Sequence, residues 1–247
     1  MEYHPPPKNH LDFIGGGASS IVNFLPPDRV LKFAHDNLPQ DAEHERKVLE
    51  VLGSHPRIVR YFGMWKEKNR SVVLEYHPRG YPRRRWAVQI VEGLVYIHSK
   101  GIVHGDLNAS NILVTDSDDV VLCDFAGSSL NGEKPVALCF EPRHLRPRGE
   151  GEDETRNIKD DLFALGSVLY ELYSDKKPYA EKEDHEVGKL YRQGTFPDVS
   201  GIPVGRVIEK CWTGGYKSAE QVLADLVVLI VTGFSTTFDS TELQTAR

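Results

Sequence analysis

Three oxygen-bearing side chains, Asp106, Asn111 and Asp124, lie within residues 102–127 (IVHGDLNASNILVTDSDDVVLCDFAG) and carry the clearest chemistry in this sequence. Residues 112–115 and 120–123 are apolar runs, and Asp116-Ser117-Asp118-Asp119 between them has turn composition, so the runs should pair as an antiparallel hairpin. Asn111 then begins the first strand and Asp124 ends the second, which sets the two side chains beside each other. Asp106 lies on the loop leading into the same edge. A carboxylate and an amide oxygen suit a hard cation such as Mg2+, which completes its shell with water and phosphate. The second carboxylate, Asp106, is left to accept a proton from an attacking hydroxyl. Taken singly, each of the three is an ordinary turn or cap residue, and only the spacing sets them apart. Two further features stand out. Gly15, Gly16 and Gly17 stand in residues 14–22 (IGGGASSIV), three adjacent glycines that make either a flexible turn or a loop whose missing side chains let backbone N–H groups approach a phosphate. Lys32 is a charge among the apolar neighbours Val30, Leu31 and Phe33, and needs a partner, a ligand or a route to the surface.

The elements that must position these groups fall into two unlike halves. Residues 12–14, 21–25 and 30–34 are short β-branched runs separated by turn residues, including Pro26-Pro27-Asp28, and predict a small antiparallel sheet. Residues 41–53 break that pattern: Ala42, Val48, Leu49 and Leu52 recur at helical spacing and Gly53 supplies the stop. After Tyr76 the texture is helical, notably over 86–99, 160–173 and 219–231. Between the halves, residues 76–85 (YHPRGYPRRR) hold two prolines, a glycine and four arginines, the composition of a hinge or solvated linker. The fold class expected is α+β and bilobal: a domain over 11–232, with an N-lobe sheet and one helix over 11–76 and a mainly helical C-lobe over 77–232. The proline-rich residues 1–10 read as a leader, and the Ser- and Thr-rich 233–247 as a polar tail.

Composition narrows the class further. A chain of 247 residues with 40% hydrophobic and 27% charged residues has the makings of an ordinary globular core, which excludes a disulfide miniprotein and a disordered chain. Thirty basic against 36 acidic residues give −6, so no global charge favours nucleic acid or an anionic membrane. Cys123, Cys139 and Cys211 are odd in number and in no C-x-x-C spacing, which argues against a disulfide framework and a zinc site and for a reducing compartment. The longest aliphatic run, 226–231, is far short of a membrane span. A cytoplasmic or otherwise intracellular monomer is expected.

His104, Asp106, Asn111, Asp124 and Phe125 in order spell H-x-D-x-x-x-x-N followed by D-F, and here the chain resembles the protein kinase family over roughly residues 11–231, in the manner of short single-domain fungal kinase-like proteins. The resemblance implies ATP and Mg2+ as cofactors and a protein hydroxyl as acceptor. It makes Asp106 the catalytic base, Asn111 and Asp124 the metal ligands, and Lys32 the phosphate-binding lysine. Glu45 becomes the ion-pair partner of Lys32, with Glu43 the fallback. Gly15, Gly16, Gly17 and Val22 become the phosphate loop, with Ser20 in the third glycine position. Leu74 would guard the space behind the adenine, backbone groups of Glu75 and His77 would meet the base, Asp161 would support the His104 loop, and Cys211-Trp212 resembles the late C-lobe signature.

Several residues depart from the family pattern. Gly105 replaces the arginine that pairs with a phosphorylated activation loop, so activity should not need loop phosphorylation. Asn108 stands where a lysine usually steadies the γ-phosphate, a loss of about 2–4 kcal/mol in the transition state if nothing replaces it. The metal motif reads D-F-A-G through Ala126, the helix after the connector is missing, and Arg146-Pro147-Arg148 occupies the place of A-P-E with no late arginine evident. Two other readings therefore stay open: a pseudokinase that binds nucleotide without turnover, and a small-molecule phosphotransferase, because H-G-D-L-x-x-x-N also resembles aminoglycoside and choline kinases.

Overall fold

The computed structural model describes residues 12–16, 20–25, 28–35, 39–65, 71–75, 86–133, 141–149, 151–152 and 155–233. Residues 1–11, Gly17, Pro26 and Pro27, residues 76–85 with His77 and the four arginines, Cys139 and residues 234–247 lie outside them, and with them the leader, hinge and tail expected from the sequence. The described residues form the bilobal α+β architecture expected.

The N-terminal sheet joins β1 (Asp12–Gly16), β2 (Ser20–Leu25), β3 (Arg29–Ala34), β4 (Tyr61–Met64) and β5 (Ser71–Glu75) in the order β1-β2-β3-β5-β4, all antiparallel. Alternation along β3 decides which side chain meets which face. Leu31 joins Leu25, Trp65 and Val73 in a small cluster on one face, whereas Val30 joins the main core on the other with Val72 and Leu74. Lys32 shares the face of Val30, and that is the face covered by α1 (Pro39–Leu52), which packs Val48, Leu49 and Leu52 into the main core. The helix begins at Pro39, ahead of the predicted start, because a proline at the first helical position gives up no needed N–H. It ends where expected: Gly53 takes φ +62 and donates its N–H to Leu49 O at 2.9 Å.

The C-terminal lobe is built on α2 (Ala87–Ser99) and α3 (Ile158–Ser174), followed by α4 (Asp184–Arg192), α5 (Gly205–Trp212) and α6 (Ala219–Gly233). Between α2 and α3 lies the predicted hairpin, β7 (Ile112–Val114) and β8 (Val120–Leu122), paired antiparallel, preceded by β6 (Ile102–Val103), which pairs with β9 (Ser129–Leu130). α2 anchors the hairpin turn: Trp86 Nε1 donates to Asp118 O at 2.7 Å and Val120 N donates to Gln89 Oε1 at 3.0 Å. Asn157 caps α3 in a reciprocal capping box with Asp160. The Cys211-Trp212 pair closes α5 against α3, with Trp212 Nε1 donating to Ser167 Oγ at 3.1 Å.

A strut couples the lobes. Residues 53–60 run along the hairpin, with Val59 N donating to Leu122 O at 2.9 Å and Leu122 N to Arg57 O at 2.8 Å. His55 stacks on Tyr96 of α2 at 3.7 Å, and the Tyr96 hydroxyl donates to Leu52 O. Among the described residues no helix is long and apolar enough to cross a membrane. Cys123 and Cys211 are buried free thiols.

Gly166 lets α3 and α5 approach closely: a Cβ there would stand 2.9 Å from Cys211 Cβ and from Trp212 Cδ1. Gly166→Ala is therefore expected to push α3 and α5 apart and destabilise the protein by about 1–3 kcal/mol. Urea unfolding should show a lower midpoint, and an unchanged midpoint would contradict this packing.

Candidate active site

The site is assembled from α3 upward. Asp161 is fully buried near the start of that helix and accepts the N–H of His104 at 2.7 Å and of Gly105 at 2.8 Å. His98, at the end of α2, donates Nε2–H to the same carboxylate at 2.9 Å. Burial alone would raise the Asp161 carboxyl, but the hydrogen bond and field of His98, with His104 and the Gly105 amide, outweigh it and hold the group below its ordinary value. His104 passes the constraint on. Its Nε2–H donates to Cys123 O at 3.0 Å, and its ring leans on that of Phe125, which is fully buried.

The loop from His104 delivers Asp106, and two amides clamp it. Asn111 donates Nδ2–H to Asp106 O at 2.7 Å and to Oδ2 at 3.2 Å. Asn108 donates to Asp106 O at 3.0 Å and to Oδ1 at 3.2 Å, while its own Oδ1 accepts Ser110 N–H at 2.9 Å and caps the short 3-10 turn Ala109–Asn111. Asn111 thus sits one residue ahead of β7 and Asp124 two residues beyond β8. The register between them is pinned by Cys123 N–H donating to Asn111 O at 3.0 Å.

Lys32 is the meeting point of the lobes. Its Nζ lies 3.0 Å from Glu45 Oε1 and 2.6 Å from Asp124 Oδ1, with side-chain exposures of 7%, 2% and 32% for Lys32, Glu45 and Asp124. Burial opposes the ammonium charge, yet the fields of Asp124 and Glu45 prevail and raise its pKa above the ordinary lysine value. The same lysine draws Asp124 down against burial, whereas burial pushes Glu45 up. Asp124 takes φ +61, a left-handed conformation that costs energy in a non-glycine residue and persists because its contacts fix it. Glu43, the fallback partner, pairs with Arg46 instead.

The remaining predicted residues are distributed as follows. Gly15 and Gly16 end β1 just after a register shift between Phe13 and Gly15, and a Cβ on Gly16 would meet Ser20 O at 3.2 Å. Val22 pairs with Lys32 across β2 and β3 and packs on the main core. Leu74 is buried in that core, and Glu75 closes β5 with its amide N–H donated to Arg60 O at 3.0 Å. Gly17 and His77 fall outside the described residues. Gly105 adopts φ +75, and a Cβ there would stand 2.5 Å from Gly127 O, so backbone packing of the two loops fills the place of the arginine side chain. Arg146 Nε and Arg148 Nη2 each bind Asp160 at 2.9 Å, so the segment expected to have lost an ion pair holds two of its own to α3. His98 had no local signal in the sequence, nor had His44 of α1, whose Nε2–H donates to Ser128 O at 2.7 Å.

The donor types at Asn111 and Asp124 are those a hard cation such as Mg2+ takes. Asn111 spends its Nδ2–H on Asp106, and Cys123 N–H holds its backbone next to the strand that leads to Asp124, so an amide oxygen and a carboxylate belong to one end of the hairpin. Among the described residues no group of three or more His, Cys, Asp or Glu forms a metal cage, so a cation here would need phosphate and water for the rest of its shell.

Asp161→Asn places an amide N–H against backbone donors and should cost about 1–3 kcal/mol. The sign with pH is fixed by the depressed native pKa: the carboxylate stabilises the fold above its ordinary 3.8 and loses that contribution as pH falls through the lower native value. Urea titrations should therefore show a gap between wild type and variant at pH 7 that narrows on acidification; a gap independent of pH would contradict the assignment.

A family model described as the protein kinase domain matches residues 30–210. Serine/threonine-protein kinase 12 of Arabidopsis thaliana is 30% identical over 215 residues, 74% of this chain and 47% of that protein. Human mitogen-activated protein kinase kinase kinase 3 is 29% identical over 187 residues, 65% of this chain and 29% of that protein. The probable serine/threonine-protein kinase SIS8 of Arabidopsis thaliana is 29% identical over 233 residues, 80% of this chain and 22% of that protein. The chain thus spans about half or less of these relatives' length. With the family model covering most of its length, the chain belongs to the protein kinase family.

Proposed function

We propose that this chain is an ATP- and Mg2+-dependent protein kinase transferring the γ-phosphate to a serine or threonine hydroxyl of a protein substrate. The working unit would run over 11–232, with lobes at 11–76 and 77–232, acting as an intracellular monomer. The observation that carries this reading is the buried Lys32 ammonium shared by Glu45 and Asp124, one loop away from an Asp106 carboxylate clamped by two amides. The relatives' names support the acceptor class.

In this reading Lys32, oriented by Glu45, grips the α- and β-phosphates beneath Gly15, Gly16, Gly17 and Val22, and backbone groups of Glu75 and His77 hold the base. Asn111 and Asp124 would hold Mg2+, which would supply positive charge against the phosphates. Asp106 orients the acceptor hydroxyl and takes its proton as the oxygen bonds to phosphorus and the bond to ADP breaks. Asn108 favours slow turnover: its amide is directed at Asp106, and it brings no cation to the transferring phosphate. The same residue supports the pseudokinase alternative, and only turnover separates the two.

Asp106→Asn should lower kcat by about 10²–10⁴ with the ATP KM changed only a few-fold, measured as Mg2+-dependent transfer of labelled phosphate to a peptide library. Equal signal from variant and wild type would remove Asp106 from the chemistry. Nucleotide binding without transfer would favour the pseudokinase, and transfer only to aminoalcohols or aminoglycosides would favour the small-molecule reading.

A further inference from the structure

One buried acid takes no part in holding nucleotide. Asp41, in the first turn of α1, is 2% exposed, and neither of its carboxylate oxygens has a hydrogen-bond partner among the described residues. It lies one helical turn ahead of Glu45, on the same face of the helix. The two line a small cavity with Ser20 of β2, Lys32 of β3 and Ala126 beyond β8, so Asp41 is a third carboxyl group near the Lys32 ammonium, after Glu45 and Asp124. The cavity measures about 10 Å3, no more than one water molecule occupies, and a ligand group cannot enter it to supply the missing donors.

A carboxyl group so placed responds by holding a proton. Without donors a buried carboxylate bears its full desolvation cost, whereas the neutral acid has no charge to solvate. Burial is the largest influence and lifts the Asp41 carboxyl above its ordinary value, against the fields of Lys32 from β3 and His44 on α1 itself and with that of Asp124 beyond β8. The N-terminal end of α1 also favours a negative charge, but only as a fraction of one. Neither cationic neighbour is free to pair with Asp41. Lys32 is claimed by Glu45 at 3.0 Å and by Asp124 at 2.6 Å, and His44 gives its Nε2–H to Ser128 O at 2.7 Å. Glu45, four residues on, adds a like charge, which disfavours a second carboxylate on that face.

We infer that Asp41 is a proton-controlled positioning residue for the Lys32–Glu45 pair. As the neutral acid it lets the first turn of α1 close on β3, and Lys32 stays with Glu45 and Asp124. As the carboxylate it repels Glu45 one turn away and competes for Lys32, which loosens α1 where the helix carries Glu45. Only a proton moves, from the Asp41 carboxyl to solvent as pH rises and back as pH falls. Because the native group holds its proton to higher pH than the unfolded one, the strain is absent below the ordinary 3.8 and grows as pH climbs through the native value. Phosphate groups arriving at Lys32 would add negative charge beside Asp41 and favour its proton, so by reciprocity the protonated form favours the nucleotide. That last consequence rests on the kinase reading; the effect on α1 does not.

Two variants of the full-length protein test this. Asp41→Asn keeps the shape of the neutral acid and cannot ionise, and Asp41→Ala removes the group without adding buried N–H donors. In the first arm, hydrogen–deuterium exchange of the α1 amides is followed without nucleotide from pH 4.5 to 8, with intrinsic exchange rates divided out. Wild type should lose protection over that range by about fivefold more than either variant. A purely structural Asp41 would change protection by the same factor at every pH, and that result would overturn the inference. In the second arm, ATP binding with Mg2+ is measured by calorimetry over the same range. Wild-type affinity should fall with rising pH by about threefold more than that of either variant, since all three proteins share every other titrating group and the nucleotide's own. Parallel affinity profiles beside a pH-dependent difference in α1 would overturn the link from Asp41 to Lys32. Absence of ATP binding in all three proteins would count against the kinase reading, and the exchange arm alone would then uphold or overturn the role of Asp41.

Discussion

A carboxylate that is out of contact with water must be given donors or it will not stay ionised, and the architecture of the C-terminal lobe follows from how Asp161 is supplied. Two of its donors are the backbone amides of His104 and Gly105, and the third is His98. The helix that carries Asp161 is thereby tied to the loop that carries Asp106 and to the end of α2. Because the donors are main-chain groups, this constraint fixes the path of the loop and not merely the rotamer of one side chain. His104 then holds Cys123 O, so the position of Asp124 is set from the same point, although the two aspartates belong to opposite ends of a hairpin.

The second constraint crosses between lobes and is of another kind. Lys32 reaches Asp124 from β3 only because the strand alternates, turning Lys32 to the face that α1 covers, where Glu45 is its other partner. One ammonium between two carboxylates neutralises neither fully, and the three groups hold each other in place by charge with few alternative arrangements. The strut at residues 53–60 makes the arrangement durable. Main-chain bonds to β8 and the stacking of His55 on Tyr96 keep the end of α1, and hence Glu45, at a fixed distance from the hairpin that leads to Asp124.

Much of this was legible in the sequence because the signals are local. The hairpin follows from two apolar runs around an acidic turn, α1 from residues at +3, +4 and +7 after Glu45 with a glycine stop, and β3 from a charge amid apolar neighbours. α4 and α5 were not singled out, since helices of nine and eight residues show little more than two turns of period. What remained hidden is contact between distant residues. Nothing near His98 marks it as a partner of Asp161, 63 positions on, and nothing near His144 announces Glu171. Arg146 and Arg148 illustrate the same limit: a motif comparison marks them only as departures, and their ion pairs with Asp160 emerge from the fold.

The departures from the family pattern share a direction. Where the pattern has an arginine at position 105, the chain has a glycine whose backbone presses against Gly127 O. Where it has a lysine at 108, the chain has an amide that turns inward to Asp106 and to the 3-10 turn. At residues 146–148, two arginines bind Asp160 at the N-terminus of α3. At 105 and 108 a long side chain is traded for a contact within the lobe, and at 146–148 two long side chains make such a contact. These contacts form as the lobe folds and tie residues 105–108 and 146–148 to their neighbours. In the kinase reading proposed above, Asn108 is the one of these that withdraws a cation from the transferring phosphate, where a lost donor costs about 2.7–4 kcal/mol. What the departures have in common is therefore the inward direction of their contacts, each of which is made within the C-terminal lobe.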